Sequence, residues 1–127
     1  MSIKILIADD NARVRESLAQ LLAGEGINVL EVDTCRQAIS LASRPDVDAV
    51  LLDINMPDGS GLDALAQIKQ NRPDLPVVMH SEHDRPSYAS RARQLGTAAY
   101  LVKGLDIDEL LEAIDEAIRR ASEVSLP

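Results

Sequence analysis

The stretch VDAVLLDINMPDGSG, residues 47–61, decides the fold expected for this chain. It contains four consecutive apolar residues, Ala49–Leu52, which are typical of a central strand that is covered on both faces. The apolar run stops at Asp53, whose carboxylate could simply open a turn, because aspartate accepts hydrogen bonds from the nearby backbone. The remainder of the sequence must show whether Asp53 also has a chemical role.

Five short runs of strand-forming residues alternate with five helical patterns. The alternation indicates an α/β fold with a parallel sheet. The second run has polar interruptions and is predicted to lie at an edge of the sheet, whereas the third is predicted to be central. The predicted strands cover residues 3–8, 27–32, 47–52, 77–80 and 98–102.

The helical patterns place apolar residues three and four positions apart, as in Leu62, Leu65 and Ile68. The fourth helix, predicted over residues 86–94, differs because its sequence PSYASRARQ has little apolar stripe. A helix that buries little apolar surface has little that fixes its position. We therefore expect this helix to be mobile or to be completed by a partner.

The size and composition of the chain predict one compact domain. A length of 127 residues suits a single hydrophobic core, so we expect a domain over residues 1–121 and a tail or the start of a linker over residues 122–127.

The net charge of −8 argues against direct binding of nucleic acid, which depends largely on Lys and Arg. Short apolar runs, the lack of a signal-peptide pattern and a single cysteine, Cys35, predict a cytoplasmic protein that does not cross a membrane.

Chemically capable side chains follow four of the five predicted strands. Asp9 and Asp10 follow the first strand, Asp53 the third, Ser81 the fourth and Lys103 the fifth. Taken singly, the aspartate pair could cap a helix, Asp53 could belong to a turn, and Ser81 and Lys103 could be ordinary loop residues. Ligands of open α/β sheets bind at the carboxyl ends of the strands, so the shared position of these five residues indicates a site.

Three carboxylates at one sheet edge repel each other unless a cation lies between them. Mg²⁺ prefers such hard oxygen ligands and typically combines one or two carboxylates with phosphate oxygens. Lys103 could add a positive charge and Ser81 a hydroxyl, both of which suit the oxygens of a phosphoryl group. The combination predicts transfer of a phosphoryl group onto an aspartate.

This set of residues resembles the receiver domains of two-component response regulators, the family that includes the bacterial chemotaxis response regulator. The resemblance implies a flavodoxin-like α/β fold, with a doubly wound five-stranded parallel sheet of order 2-1-3-4-5 flanked by five helices. It rests on Asp9-Asp10, on Asp53 followed by Met56-Pro57 and Gly61, on Ser81, on Tyr100 and on Lys103.

The resemblance also implies a role for each residue of the site. Asp53 is expected to be the phosphoacceptor. Asp10, Asp53 and the backbone carbonyl of Asn55 are expected to coordinate Mg²⁺, with Asp9 acting through a metal-bound water. Lys103 is expected to pair with the incoming phosphate.

A conformational switch is implied by the same resemblance. Ser81 is expected to rotate towards the phosphoryl group, and Tyr100, which alternates with apolar neighbours and could face out of the core, is expected to move between outward and inward positions. This movement would alter the surface formed by the fourth helix, the fifth strand and the fifth helix.

Three positions depart from the commonest family pattern. Gly104 follows the lysine where many receivers have a proline in a cis peptide. A cis bond before glycine would be costly, and glycine could instead give the freedom that a trans loop needs. Glu82 stands where a small residue is usual and is expected to slow the entry of anionic phosphodonors or to restrict the partner kinase. His83 is expected to tune the lifetime of the acyl phosphate.

The implied partner is a sensor histidine kinase, and the implied output is transcription through a DNA-binding domain of the luminescence-regulator type outside these residues. A homodimer is expected through the fourth helix, fifth strand and fifth helix, or through the first and fifth helices. Two other functions stay open. One is a pseudo-receiver that only binds proteins, and the other is a Mg²⁺-dependent phosphatase with an aspartate nucleophile, although Asn55 stands where such phosphatases have their second aspartate.

Overall fold

The computed structural model describes residues 2–124. Its main sheet has five parallel strands in the order β2-β1-β3-β6-β7, which confirms the predicted order 2-1-3-4-5 of a flavodoxin-like fold. In chain order the elements are β1 (Lys4–Ala8), α1 (Ala12–Gly24), β2 (Asn28–Val32), α2 (Cys35–Ala42), β3 (Ala49–Leu52), β4 (Asn55–Met56), β5 (Gly59–Ser60), α3 (Gly61–Asn71), β6 (Val77–Ser81), α4 (Pro86–Gln94), β7 (Ala99–Val102) and α5 (Ile107–Val124).

Helices cover both faces of the sheet because successive strand residues point to opposite faces. On one face, Leu6, Leu52 and Met79 pack with residues of α2 and α3. On the other face, Ile7 and Leu51 pack with residues of α1 and α5. All four residues of β3 are buried, whereas β2 lies at an edge and exposes polar positions, as the two apolar patterns predict.

A two-stranded antiparallel hairpin, β4–β5, lies directly after the central strand. Its register pairs Asn55 with Ser60 and Met56 with Gly59. Met56 is buried in the core, and the Ser60 side chain accepts a hydrogen bond from the backbone N–H of Leu62 at the start of α3. The sequence predicts only a turn here, because two-residue strands are too short to leave a periodic pattern.

Helix α4 has the predicted bounds and the predicted sparse packing. Ala92 is its only buried residue, and no side chain caps its N-terminus at Arg85, although Pro86 suits the first helical turn. The mobility of α4 stays a prediction.

The last helix extends past the predicted domain boundary. Residues 122–124 of the expected tail continue α5, and residues 125–127 lie outside the described residues. The boundary between domain and linker therefore stays a prediction. Within residues 2–124, no helix has both the length and the apolar character needed to cross a membrane.

Candidate functional site

The carboxyl ends of β1, β3, β6 and β7 meet at one edge of the sheet, where they form a polar pocket of about 200 Å³. The pocket contains most of the residues that the sequence predicts for the site. Its lining comprises Asp10, Asn11, Asp53, Asn55, Ser81, Glu82, His83 and Lys103.

Three carboxylates converge at this pocket. Asp9, Asp10 and Asp53 each present an oxygen atom within 4.8 Å of the others. Asp9 and Asp53 are buried, and Asp10 is exposed. A group of hard oxygen donors with one open side fits Mg²⁺, which keeps several water or phosphate ligands.

Lys103 partly neutralises this acid cluster. Its Nζ lies 2.8 Å from Oδ2 of Asp9 and 3.0 Å from Oδ2 of Asp53, and its side chain is only 13% exposed. Burial alone would lower the pKa of Lys103, but its bonds to the two carboxylates outweigh burial and raise the pKa. The lysine therefore stays charged at neutral pH.

The single positive charge of Lys103 cannot neutralise three carboxylates, and the resulting excess of negative charge affects Asp53. Burial raises the pKa of Asp53, and the nearby charge of Asp9 raises it further, against the opposing effect of Lys103. A divalent cation would remove this repulsion. The electrostatics of the pocket thus favour binding of a metal ion next to Asp53.

The aspartate pair is not the cap of α1. Asn11 caps that helix, because its side chain accepts a hydrogen bond from the backbone N–H of Val14. Asp9 Oδ1 instead accepts from the backbone N–H of Asn11 at 2.9 Å, and Arg15 Nη1 donates to the carbonyl of Asp9 at 2.9 Å. The capping interpretation is therefore wrong, and the turn after β1 directs Asp10 into the pocket.

Asp53 is held by contacts with β1, with the backbone of the next residue and with α3. Its backbone N–H donates to the carbonyl of Ala8 at 3.0 Å, and Oδ1 accepts from the N–H of Ile54 at 2.7 Å. Gly61 packs so closely against the carbonyl of Asp53 that a Cβ atom there would lie only 2.8 Å from the carbonyl carbon and would overlap the oxygen. The glycine after the hairpin thus fixes the position of Asp53.

His83 connects four parts of the site. Its Nε2 lies 2.7 Å from the amide nitrogen of Asn55, its backbone N–H donates to Ser81 Oγ at 3.2 Å, and its carbonyl accepts from the hydroxyl of Tyr100 at 2.7 Å. The ring also contacts Tyr88 of α4, with centroids 5.1 Å apart. One loop residue therefore links the pocket, both predicted switch residues and the sparse helix.

Tyr100 does not face out of the core as its alternation with Ala99 and Leu101 could suggest. The residue is half-buried and packs against the core cluster on the α4 side of the sheet, while its two neighbours pack on the opposite side. Burial raises the pKa of its phenol, so the hydroxyl is protonated and can donate to the carbonyl of His83. Burial removes the apolar surface of the ring from water, which favours the position facing the core.

The loop after β7 uses glycine in a trans form. No cis peptide occurs among the described residues, and Gly104 has φ +112°, which favours glycine over other residues. The backbone N–H of Lys103 donates to the carbonyl of Ser81 at 2.7 Å and so continues the ladder between the last two strands. The trans alternative is therefore the one found here, because glycine allows the turn directly after the lysine.

Two polar residues near the site are not predicted from the sequence. Asn11 lines the pocket, and an asparagine directly before a helix is a known cap signal that could have identified its place. Asp58, in the turn of the hairpin, contacts the start of α2 across 22 and 23 residues of sequence. No local pattern could have revealed that contact.

The sheet order and the acids at its carboxyl edge define a flavodoxin-like α/β protein with an acidic site. Residues 5–115 match the family model of the response regulator receiver domain. The chain therefore belongs to the receiver domain family of response regulators, a class of signalling domains in two-component systems.

Two curated relatives are transcriptional regulators. The chain is 35% identical over 123 residues to the transcriptional regulatory protein PdtaR of Mycobacterium tuberculosis, covering 96% of this chain and 60% of that protein. It is 35% identical over 114 residues to DegU of Brevibacillus brevis, covering 88% of this chain and 48% of that protein. The chain thus spans about half the length of these relatives.

Solved structures of receiver domains have the same fold. A CheY-like receiver domain protein from Methanospirillum hungatei JF-1 superposes with a TM-score of 0.93 at 25% identity, covering 98% of this chain and 100% of that one. The CheX-CheY-BeF3-Mg²⁺ complex of Borrelia burgdorferi gives 0.85 at 26% identity, over 90% and 87%. The beryllofluoride-activated NtrC4 receiver domain dimer gives 0.86 at 28% identity, over 93% and 98%.

Proposed function

We propose that this domain is a phosphorylation switch in which Asp53 accepts a phosphoryl group from a sensor histidine kinase in the presence of Mg²⁺. The observation that carries the proposal is the place of Asp53. Its carboxylate stands at the end of the buried strand β3, 3.0 Å from Lys103 and within 4.8 Å of oxygens of Asp9 and Asp10. Such a group is a nucleophile surrounded by cationic and metal-binding partners.

The transfer requires an ionised Asp53. One carboxylate oxygen forms the new bond to phosphorus as the phosphorus–nitrogen bond of a phosphohistidine breaks, and the leaving imidazole takes up a proton from solvent. Lys103 is close enough to stay paired with Asp53 or to turn to the oxygens of the arriving phosphoryl group. Its position favours the transition state, in which negative charge spreads over those oxygens.

The metal ligands in this proposal are Asp10, Asp53 and the backbone carbonyl of Asn55, with Asp9 acting through a water. Mg²⁺, when bound, would offset the acid charges and attract phosphoryl oxygens. The convergence of the three acids and the raised pKa of Asp53 support this assignment. So does the Mg²⁺ in the name of the Borrelia burgdorferi complex, whose fold this chain shares.

The switch would begin at Ser81. Its buried hydroxyl now accepts a hydrogen bond from the N–H of His83, and rotation towards a phosphoryl group would release that bond. His83 also holds Tyr100 and touches Tyr88, so a movement of this loop would reach β7 and α4 together. The sparse packing of α4 gives it little resistance to such a displacement.

The responding surface carries separated charges. Helix α4 and its N-cap expose Arg85, Arg91 and Arg93, whereas the first turns of α5 expose Asp108 and Glu109. A twofold dimer that pairs α4 of one copy with α5 of the other would bring these opposite charges together twice, because each contact in such an interface is repeated. This pattern supports dimerisation through α4, β7 and α5 over the alternative through α1 and α5. Light scattering of the phosphorylated domain at low and high salt distinguishes charge-dependent from charge-independent association.

The whole proposal is tested by incubation with Mg²⁺ and either acetyl phosphate or phosphoramidate, followed by intact mass measurement. We expect one phosphoryl adduct, lost in Asp53→Asn and retained in the control Asp74→Asn, whose exposed side chain lies at the opposite edge of the sheet. The absence of an adduct with every donor would favour a pseudo-receiver that only binds proteins. Repeated turnover of a phosphate ester would favour the phosphatase.

Glu82 lines the pocket and is exposed, so its charge should repel anionic phosphodonors. Glu82→Ala should accelerate adduct formation by acetyl phosphate about threefold at low salt, which corresponds to about 0.6 kcal/mol and lies within the range typical of exposed charges. The effect should vanish in 1 M salt, where the Debye length is about 3 Å. Glu112→Ala, on the exposed face of α5, serves as the control, and equal rates for both variants at low salt would contradict the role of Glu82.

A further inference from the structure

The hairpin that follows Asp53 is attached to α2 by a single carboxylate. Asp58 stands in the turn between β4 and β5, where Oδ1 accepts a hydrogen bond from the backbone N–H of Cys35 at 2.7 Å. Oδ2 accepts from the N–H of Arg36 at 3.0 Å. Both oxygens are therefore used to connect two segments that are distant in sequence.

This bridge is made by the ionised carboxylate. The N–H groups of Arg36 and Cys35 are the main cause of the lowered pKa of Asp58. In contrast, burial raises the pKa of the Cys35 thiol to about 11, and the charge of Asp58 adds to that effect. The thiol is thus neutral at physiological pH, and its own hydrogen bond with the Asp58 carboxylate adds to the bridge made by the backbone.

Helix α2 has a separate cap that does not involve the hairpin. The Thr34 side chain accepts a hydrogen bond from the N–H of Gln37 at 3.2 Å. The first N–H groups of a helix have no partner within the helix, so Thr34 and Asp58 share this task at α2. They differ in one respect, since only Asp58 belongs to the segment that carries Asn55.

The hairpin needs such external attachment. A two-stranded ribbon is at best marginally stable by itself in water, and here each strand has only two residues. Met56 packs into the core, Ser60 leads into α3, and Asp58 fixes the turn between them to α2. The place of Asn55, at the start of the hairpin, depends on these three attachments together with the contact of its side chain with His83.

We propose that Asp58 is a positioning residue for the metal site, which acts by holding the β4–β5 hairpin so that the carbonyl of Asn55 stays directed at the acid cluster. The proposal rests on the Mg²⁺ site of the proposed function. Asp58 itself does not touch the metal ligands Asp10 and Asp53. Its effect passes along the hairpin backbone to Asn55.

The test is calorimetric titration of MgCl2 into the domain and its variants. Asp58→Ala should lower the affinity for Mg²⁺ about tenfold, the smaller end of the range seen when groups that orient metal ligands are removed. Asp58→Asn, which keeps one acceptor oxygen, should give an intermediate loss and serves as the measurement if Asp58→Ala does not fold.

Thr34→Ala is the matched control. It removes the other cap of the same helix and should lower the thermal midpoint by a similar amount, but it leaves the hairpin attached and should leave Mg²⁺ affinity unchanged. Equal Mg²⁺ affinity of the Asp58 variants and the parent domain, or an equal loss in Thr34→Ala, would overturn the positioning role. Failure of the parent domain itself to bind Mg²⁺ would instead overturn the proposed function.

Discussion

Replacing Lys103 with methionine should lower the free energy of unfolding of the metal-free domain by about 3 kcal/mol at neutral pH. The side chains of Asp9 and Asp53 are 3% and 8% exposed, and Lys103 contacts both of them. Its removal leaves two buried carboxylates without a cation. Methionine retains most of the aliphatic volume, so the loss should be electrostatic rather than a loss of packing.

The pH dependence of this deficit follows from the two pKa directions. The pKa of Lys103 is raised, so its stabilising contribution is complete below the pKa of an unfolded lysine, about 10.4, and is lost as pH rises through the higher folded value. Burial raises the pKa of Asp53, so the folding penalty of its charge develops as pH rises above the unfolded pKa, about 3.9, and is complete above the folded pKa. The deficit of Lys103→Met should therefore be small near about pH 4 and complete at neutral pH.

Mg²⁺ should reverse most of the deficit, because the ion replaces the missing positive charge. At about ten times its dissociation constant, Mg²⁺ stabilises any folded domain that binds it by about 1.4 kcal/mol, and the gain should be larger in Lys103→Met. Urea unfolding with and without Mg²⁺ measures both quantities. Lys4→Met breaks an ion pair with Asp46 that is much more exposed, and it should cost less than about 1 kcal/mol, with the same cost in the presence and absence of Mg²⁺.

A Lys103→Met deficit that is independent of pH and Mg²⁺ would contradict the electrostatic coupling. In that case the lysine would contribute through packing alone. The double variant Asp53→Asn with Lys103→Met gives a further comparison, because removal of one buried charge should recover part of the lost stability.

The sequence predicts the sheet and the site because both depend on local patterns. The four apolar residues Ala49–Leu52 mark a strand buried on both faces, and β3 is indeed central. Parallel strands bring their carboxyl ends to one edge, so residues that directly follow strands must lie near each other. Asp53 and Lys103 are 50 residues apart, yet their contact follows from this rule.

The features that the sequence does not predict are contacts between loops. The contacts of Asp58 with α2 and of Asn55 with His83 join polar side chains with segments more than 20 residues away. Apolar periodicity does not predict contacts of this kind, because polar side chains in loops make them. The burial of Tyr100 depends on which face of β7 meets α4, and alternation alone gives two equivalent faces. The order of the strands came from the family resemblance, because alternation of helices and strands is compatible with several orders.

Gly61→Ala should slow the phosphorylation of Asp53 by about 100-fold, the effect expected when reacting groups are misplaced by about 1 Å. A Cβ atom at Gly61 would overlap the carbonyl oxygen of Asp53 and would lie 2.9 Å from Cα of Ile54. These are backbone atoms, which cannot rotate away as a side chain can. Either α3 or the end of β3 must move, and a shift of the end of β3 takes the carboxylate of Asp53 away from its place beside Lys103.

The contact with Asp53, and not the conformation of Gly61, is the reason for this expectation. Gly61 lies in the first turn of α3 and has no positive φ, and alanine is a better helix former than glycine by up to about 1 kcal/mol. Local propensity alone therefore predicts a gain in stability, whereas overlap predicts a loss of about 1–3 kcal/mol. The sign of the measured change in unfolding free energy decides between the two.

Gly24→Ala is the control for Gly61→Ala, because Gly24 ends α1 and a Cβ atom there would meet nothing within 4 Å. It should leave the rate of adduct formation unchanged and the domain equally or slightly more stable. Adduct formation by Gly61→Ala at the parent rate would show that the site tolerates displacement of the Asp53 backbone. A slow rate in Gly61→Ala alone would instead show that the close approach of α3 to β3 sets the geometry of the phosphoacceptor.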